Sequence, residues 1–195
     1  RDNSIQKLTF PFDILRKGQK ELGEKISQII EEGKNLLLEA PTGTGKTVAI
    51  LFPSIKLLPP GLYEKIFFLT AKTPGQNIVR ETLQIFKEKG LHMRSVFLNA
   101  KEKMCFTGDC NCEPSLCKYA ERYYEKLPSA IEEIVKDEIF TREQIISVAE
   151  TFKICPFEFS LDLSLYCDMV VCDYNYVFDP AVYLRRYFLG GKEKY

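Results

Sequence analysis

The chain of 195 residues carries 27 Lys and Arg against 27 Asp and Glu, with 45% hydrophobic and 28% charged residues. That balance excludes disorder, collagen and a low-complexity scaffold, and its zero net charge gives no global attraction to a polyanion or a membrane. At about 150 residues per domain the length holds one domain with an insertion, or two small ones. No apolar run approaches the roughly 18 residues of a membrane span, and nothing in the residues from Arg1 onward reads as a signal peptide, so a soluble chain, and one that is a piece of a longer protein, is expected. Charge is uneven along the sequence: residues 62–104 hold eight Lys/Arg against four Asp/Glu, and residues 105–150 five against ten. The first stretch could face a polyanion.

In chain order, Phe10 to Gln19 carries loop punctuation and leads into a helical pattern with Leu22, Ile26, Ile29 and Ile30 on one face. Leu36-Leu37-Leu38-Glu39 reads as a short buried strand running into the Gly-rich stretch 40–47, with a helix beginning near Lys46. A second buried strand is expected over 65–70 and a second helix over 76–89, stopped by Gly90. A third strand over 94–98 and a fourth over 169–172 flank an acidic, Cys-bearing segment with Ala130, Ile131, Ile134 and Val135 at helical spacing. Strands alternating with helices predict an α/β fold with a parallel sheet, interrupted by an insertion.

Ala40-Pro41-Thr42-Gly43-Thr44-Gly45-Lys46-Thr47 fits the P-loop pattern except that Ala40 stands where the general pattern has its first Gly. Small residues let successive backbone N–H groups turn inward on phosphates at the positive end of a helix. Lys46 would then reach the β and γ phosphates, and the Thr47 hydroxyl would hold the bridging Mg2+. Nucleotide binding follows; the reaction class does not, because P-loops serve kinases, GTPases and motors alike.

Of seven cysteines, Cys105, Cys110, Cys112 and Cys117 sit together and Cys155, Cys167 and Cys172 lie further on. Without a secretory signal and with an odd count, a disulfide framework is the poorer reading and a metal or cluster site the better one. Four thiolates hold zinc as well as an iron–sulfur cluster, and spacing alone does not separate the two. No C-x2-C pair of the kind zinc often uses is present. Cys167 and Cys172, on or beside an apolar strand, read as core residues. His92, the only histidine, reads as a surface residue.

The loop with Ala first resembles motif I of superfamily 2 helicases, and Arg16-x-x-Gln19 resembles their adenine-reading Q motif. Leu69-Thr70-Ala71-Lys72-Thr73 is similar to motif Ia, which lies along the DNA backbone. Residues 100–105, then Cys112 with Cys117, then Cys155-Pro156-Phe157-Glu158, resemble the 4Fe-4S insert of the XPD/DinG-like (Rad3-related) branch, and residues 172–180 the segment that the family places before Walker B.

The resemblance implies a RecA-like P-loop NTPase fold with a mainly helical iron–sulfur insert: residues 1–99 as the first part of the motor domain, 100–165 as the insert and 166–195 as the return to the motor, ending before Walker B. It implies ATP-dependent DNA helicase activity of 5′ to 3′ polarity in the parent protein, serving repair or replication, with a second RecA-like motor domain absent here and weak turnover by the isolated piece. Lys46 and Thr47 would be the catalytic residues, and Arg16, Gln19, Pro41, Thr42, Gly43, Thr44, Gly45, Lys46 and Thr47 would hold ATP. Cys105, Cys112, Cys117 and Cys155 would hold the cluster, with Cys110 as the substitute for Cys112. Single-stranded or forked DNA would meet Thr70, Ala71, Lys72, Thr73, Lys101, Tyr174 and Tyr176; core packing is the competing reading for the two tyrosines and a solvated surface position for Lys101. The location implied is cytoplasmic in a bacterial cell and nuclear in a eukaryotic one. Two other readings stay open: a P-loop nucleotide-binding module with a zinc-stabilised insert, and a P-loop kinase or transferase.

Overall fold

The computed structural model describes the chain apart from residues 42, 60, 62, 72, 109–111, 113–115, 182–183, 185–186 and 188–195 and the side chain of Thr73. In order, the described residues form α1 (Asp2–Lys7), α2 (Gln19–Glu31), α3 (Lys46–Lys56), β1 (Ile66–Leu69), α4 (Thr73–Glu88), β2 (Ser95–Phe97) and α5 (Lys101–Met104). They continue with α6 (Tyr123–Ile134), β3 (Ile139–Phe140), α7 (Arg142–Phe152), α8 (Pro156–Ser164), β4 (Met169–Cys172) and α9 (Asn175–Phe178). Two units result: residues 1–66, 73–93 and 185–195 form the first, and 67–72 and 94–184 the second. No helix among the described residues is long and apolar enough to cross a membrane.

In the first unit α2 and α1 pack on α3, and α4 packs on α3. The apolar stripes of these helices supply Ile26, Ala49, Leu51, Ile55, Val79, Leu83 and Phe86 to one core. Phe10 meets Phe52 edge-on at a centroid distance of 5.4 Å, and Phe52 meets Phe86 at 6.4 Å. A helix end leaves carbonyls without partners. At the end of α1 they are met by Lys56 Nζ, which donates to Ile5 O, Gln6 O and Leu8 O at 3.0, 2.8 and 3.1 Å.

The second unit holds a four-stranded parallel sheet in the order β1-β4-β2-β3. β2 pairs in parallel with β4 (Ser95↔Met169, Val96↔Val170, Phe97↔Val171) and with β3 (Ser95↔Ile139, Val96↔Phe140). All four residues of β4 are buried, as an interior strand of a parallel sheet requires. Asp168 sets the β2–β4 register: its carboxylate accepts from Arg94 N at 3.0 Å and its own N–H donates to Arg94 O at 2.9 Å. Helix α8 packs on β2, and α7 on α6 and α8. A capping box starts α7, where Thr141 Oγ1 accepts from Gln144 N and Gln144 Oε1 accepts from Thr141 N.

One sequence expectation needs correction. Residues 36–39 are not a strand: Leu37 is 100% exposed, Leu36 and Leu38 are exposed too, and no described strand runs alongside. An apolar run becomes a strand only where a neighbour accepts its backbone hydrogen bonds, and among the described residues no strand pairs with 36–39. The mainly helical insertion expected from the sequence also contributes β3, a two-residue strand that lengthens the sheet on the far side of β2.

Candidate nucleotide loop and thiol site

The nucleotide loop lies in the first unit. Gly43 and Gly45 adopt φ of 78° and 77°, the left-handed region that disfavours any residue with a Cβ. Gly45 is the N-cap of the 11-residue α3, so the loop opens on the positive end of a helix. Thr44 Oγ1 donates to Pro41 O at 3.0 Å, and Lys46 Nζ donates to Ala40 O and Pro41 O at 2.7 and 2.6 Å. The Lys46 ammonium thus lies at the head of the loop, on the Ala40 and Pro41 carbonyls.

Gln19 and Arg16 brace the same loop from below. Gln19 is 6% exposed, and both ends of its amide are in use: Oε1 accepts from Arg16 N at 2.8 Å, and Nε2 donates to Thr44 O at 3.2 Å and Gly45 O at 3.4 Å. The Arg16 guanidinium donates to Gly43 O. A Cβ on Gly45 would stand 2.2 Å from Gln19 Nε2, so the glycine is needed for close approach as well as for its φ. Sequence reasoning expected these two side chains and the loop to serve one site, and the structure brings them together; their amide and guanidinium groups hold loop backbone. Thr47, half-buried, follows Lys46 in the first turn of α3; Thr42 lies outside the described residues.

The thiols lie in the second unit. Cys105 is the C-cap of α5 and Cys155 the N-cap of α8, and these helices pack together. Burial pushes the Cys155 thiol up, the backbone N–H groups of Glu158 and Phe157 pull it back, and the charges of Glu158 and Cys112 add to the rise. Cys105 Sγ is 3.2 Å from Thr107 Oγ1; Cys117 is buried and Cys112 exposed, while Cys110 lies outside the described residues. Among the described residues no three His, Cys, Asp or Glu side chains stand close enough to share one metal ion. The donor set, thiols with Cys105 and Cys155 at the ends of two helices that pack together, is chemically that of an iron–sulfur cluster as well as of zinc. Cys167 and Cys172 are core thiols: Cys167 Sγ donates to Leu163 O at 3.3 Å, and burial, then the charge of Asp173, pushes Cys172 up to about 12.

The residues expected on DNA are spread over the second unit and its border. Thr70 N donates to Cys172 O at 3.0 Å at the end of β1; Ala71 is exposed, Lys101 opens α5, and Lys72 and the Thr73 side chain lie outside the described residues. Tyr176 packs rather than projects, with its hydroxyl donating to Asn99 O at 3.0 Å and burial raising its pKa well above the usual phenol range. Tyr174, 47% exposed, shares the outward side of α9 with Phe178, which sequence reasoning missed although the i, i+4 spacing was visible.

A family model described as DEAD_2 matches residues 78–188, and one described as DEAD/DEAH box helicase matches residues 18–108. The chain is 21% identical to the Regulator of telomere elongation helicase 1 homolog of Anopheles gambiae, over 89% of this chain and 23% of that protein. It is 22% identical to the General transcription and DNA repair factor IIH helicase subunit XPD of Arabidopsis thaliana, over 89% of this chain and 27% of that protein. The chain therefore spans about a quarter of the length of the curated relatives it matches. A solved structure named XPD_Helicase superposes on 93% of this chain and 31% of its own, with a TM-score of 0.55 and 23% identity, so the RecA-like fold expected from the sequence is the one observed. With the DEAD_2 model spanning more than half of its residues, the chain belongs to the DEAD_2 family.

Proposed function

We propose that this chain is the nucleotide-binding part of an ATP-dependent DNA helicase motor that carries a 4Fe-4S cluster. The observation that carries the reading is the glycine loop at the head of α3, with Lys46 and Thr47 in its first turn and Gln19 and Arg16 on its backbone. ATP enters with its phosphates on the N–H groups of the loop. Lys46 leaves the Ala40 and Pro41 carbonyls for the β and γ phosphates and stabilises charge on the transferring phosphoryl group, while the Thr47 hydroxyl holds Mg2+. Arg16 and Gln19 link the adenine edge to the loop, so that seating the base tightens the phosphate cradle.

Residues 100–165 form the cluster-bearing insert in this reading, with 1–99 and 166–195 as the motor around it. Cys105, Cys112, Cys117 and Cys155 would hold the cluster, with Cys110 as the substitute for Cys112. A bound cluster supplies four Fe–S bonds that pin together a lobe of modest apolar content. Thr70, Ala71, Lys72, Thr73, Lys101 and Tyr174 would contact single-stranded DNA beside a fork, and a second motor domain of the parent protein would complete a 5′ to 3′ translocase.

Titration with a fluorescent ATP analogue and Mg2+ tests the nucleotide site. A lysine-to-phosphate bond worth about 1.5–3 kcal/mol predicts that Lys46→Met weakens binding about ten- to hundredfold. Equal affinity in the variant and the wild-type chain overturns the reading. Iron and sulfide in equal amounts after anaerobic purification are expected, and stoichiometric zinc without sulfide would replace the cluster with a zinc site.

A further inference from the structure

Helix α6 carries two side chains that reach from the segment bearing Cys117 to the segment bearing Cys155. Tyr123, the first residue of α6, is 7% exposed, and its hydroxyl donates to Asp162 Oδ2 at 2.8 Å. Asp162 lies on α8, two turns beyond the N-cap Cys155. Lys126, one turn along α6, donates from Nζ to Glu121 O at 3.0 Å and to Lys153 O at 3.3 Å. Glu121 N in turn donates to Cys117 O at 3.3 Å, and Lys153 precedes Cys155 by two residues in a left-handed turn with φ of 53°. Cys105 has a comparable tie, because Arg142 Nε donates to Lys103 O at 3.2 Å, two residues upstream of it.

We propose that Tyr123 and Lys126 are positioning residues that hold Cys117 and Cys155 in ligand register before any cluster is bound. The inference rests on the cluster reading above and adds to it which residues outside the ligand set build the site. Each bond lands on a group two to seven residues from a thiol rather than on the thiol itself, so its loss loosens the frame without removing a ligand. Burial and then Asp162 hold the pKa of the Tyr123 phenol far above its usual value, so it remains a donor at any working pH.

The test uses the whole chain, reconstituted anaerobically with iron and sulfide, as wild type, Tyr123→Phe, Lys126→Met and Lys126→Arg. Loss of visible absorbance under an iron chelator and the electron paramagnetic resonance line width of the reduced cluster are the readouts. Support for ligands from outside the first coordination sphere is worth about ten- to hundredfold in metal retention. Tyr123→Phe and Lys126→Met are therefore expected to load a cluster, to lose it about ten times faster than wild type and to give broadened spectra, with Lys126→Arg restoring both. Loss rates within about twofold of wild type in both variants overturn the inference and leave the cluster reading standing. A wild-type chain that takes up neither iron nor sulfide overturns the cluster reading itself, and this inference with it.

Discussion

Gly45 is the position where the loop and Gln19 touch most closely, and replacing it by alanine separates two costs. The first is conformational: a residue with a Cβ at φ of 77° pays roughly 1–2 kcal/mol. The second is steric, because the new Cβ stands 2.2 Å from Gln19 Nε2 and drives the amide off Thr44 O and Gly45 O. Two long bonds of about 0.5–1 kcal/mol each add about 1–2 kcal/mol. Gly45→Ala should therefore destabilise the first unit by about 2–4 kcal/mol. Gly43→Ala, at φ of 78° with nothing within 4 Å of its Cβ, should cost only the conformational part. In a Gln19→Ala background the Gly45→Ala cost should fall to that same part, a coupling of about 1–2 kcal/mol. Urea unfolding followed by circular dichroism measures the sums, and native-state hydrogen exchange of the α3 amides assigns them to the first unit, since a chain of two units need not unfold in one step. A coupling below about 0.5 kcal/mol would refute the close contact between Gln19 and the loop.

Two further outcomes follow from burial. Leu37→Lys should change the stability of this chain by no more than about 0.5 kcal/mol in thermal unfolding, because its side chain is fully exposed; a loss of about 2–5 kcal/mol, the range for a core leucine, would mean that residues 36–39 are paired and buried after all. Cys172 has a folded-state value of about 12 against an ordinary 9.0, so its contribution is fully present below 9.0 and is lost as pH rises toward 12. Urea midpoints of the wild-type chain should accordingly fall more steeply across that alkaline range than those of Cys172→Ala, and parallel slopes would refute the assignment.

What could be read in the sequence was what the backbone imposes locally. A left-handed φ at two positions demands glycine, so Gly43 and Gly45 announced the loop, and apolar periodicity announced α2, α3, α4, β1, β2 and β4. Thr141-x-x-Gln144 and Cys155-Pro156 were legible helix starts for α7 and α8 that the reading of the cysteine segment passed over. β3 was not legible at all: two residues between Glu138 and Thr141 carry no period, and only the register with Ser95 and Val96 makes them a strand. Leu36 to Leu38 show the reverse, since their pattern states a preference for burial while pairing depends on a partner elsewhere in space.

The same division runs through the candidate sites. Gln19 was recognisable by its spacing from Arg16, but the loop carbonyls that its amide meets lie 25 and 26 residues away. Tyr176 looked equivalent to Tyr174 until Asn99, 77 residues upstream, claimed its hydroxyl. Tyr123 and Asp162 are 39 residues apart, and no pattern within either helix marks them as partners. Side chains that hold other side chains or distant backbone therefore escape a single sequence, whereas those whose identity the local backbone forces do not. A cysteine is visible in the sequence itself, whereas the bond between Tyr123 and Asp162 exists only where the folded chain brings α6 to α8.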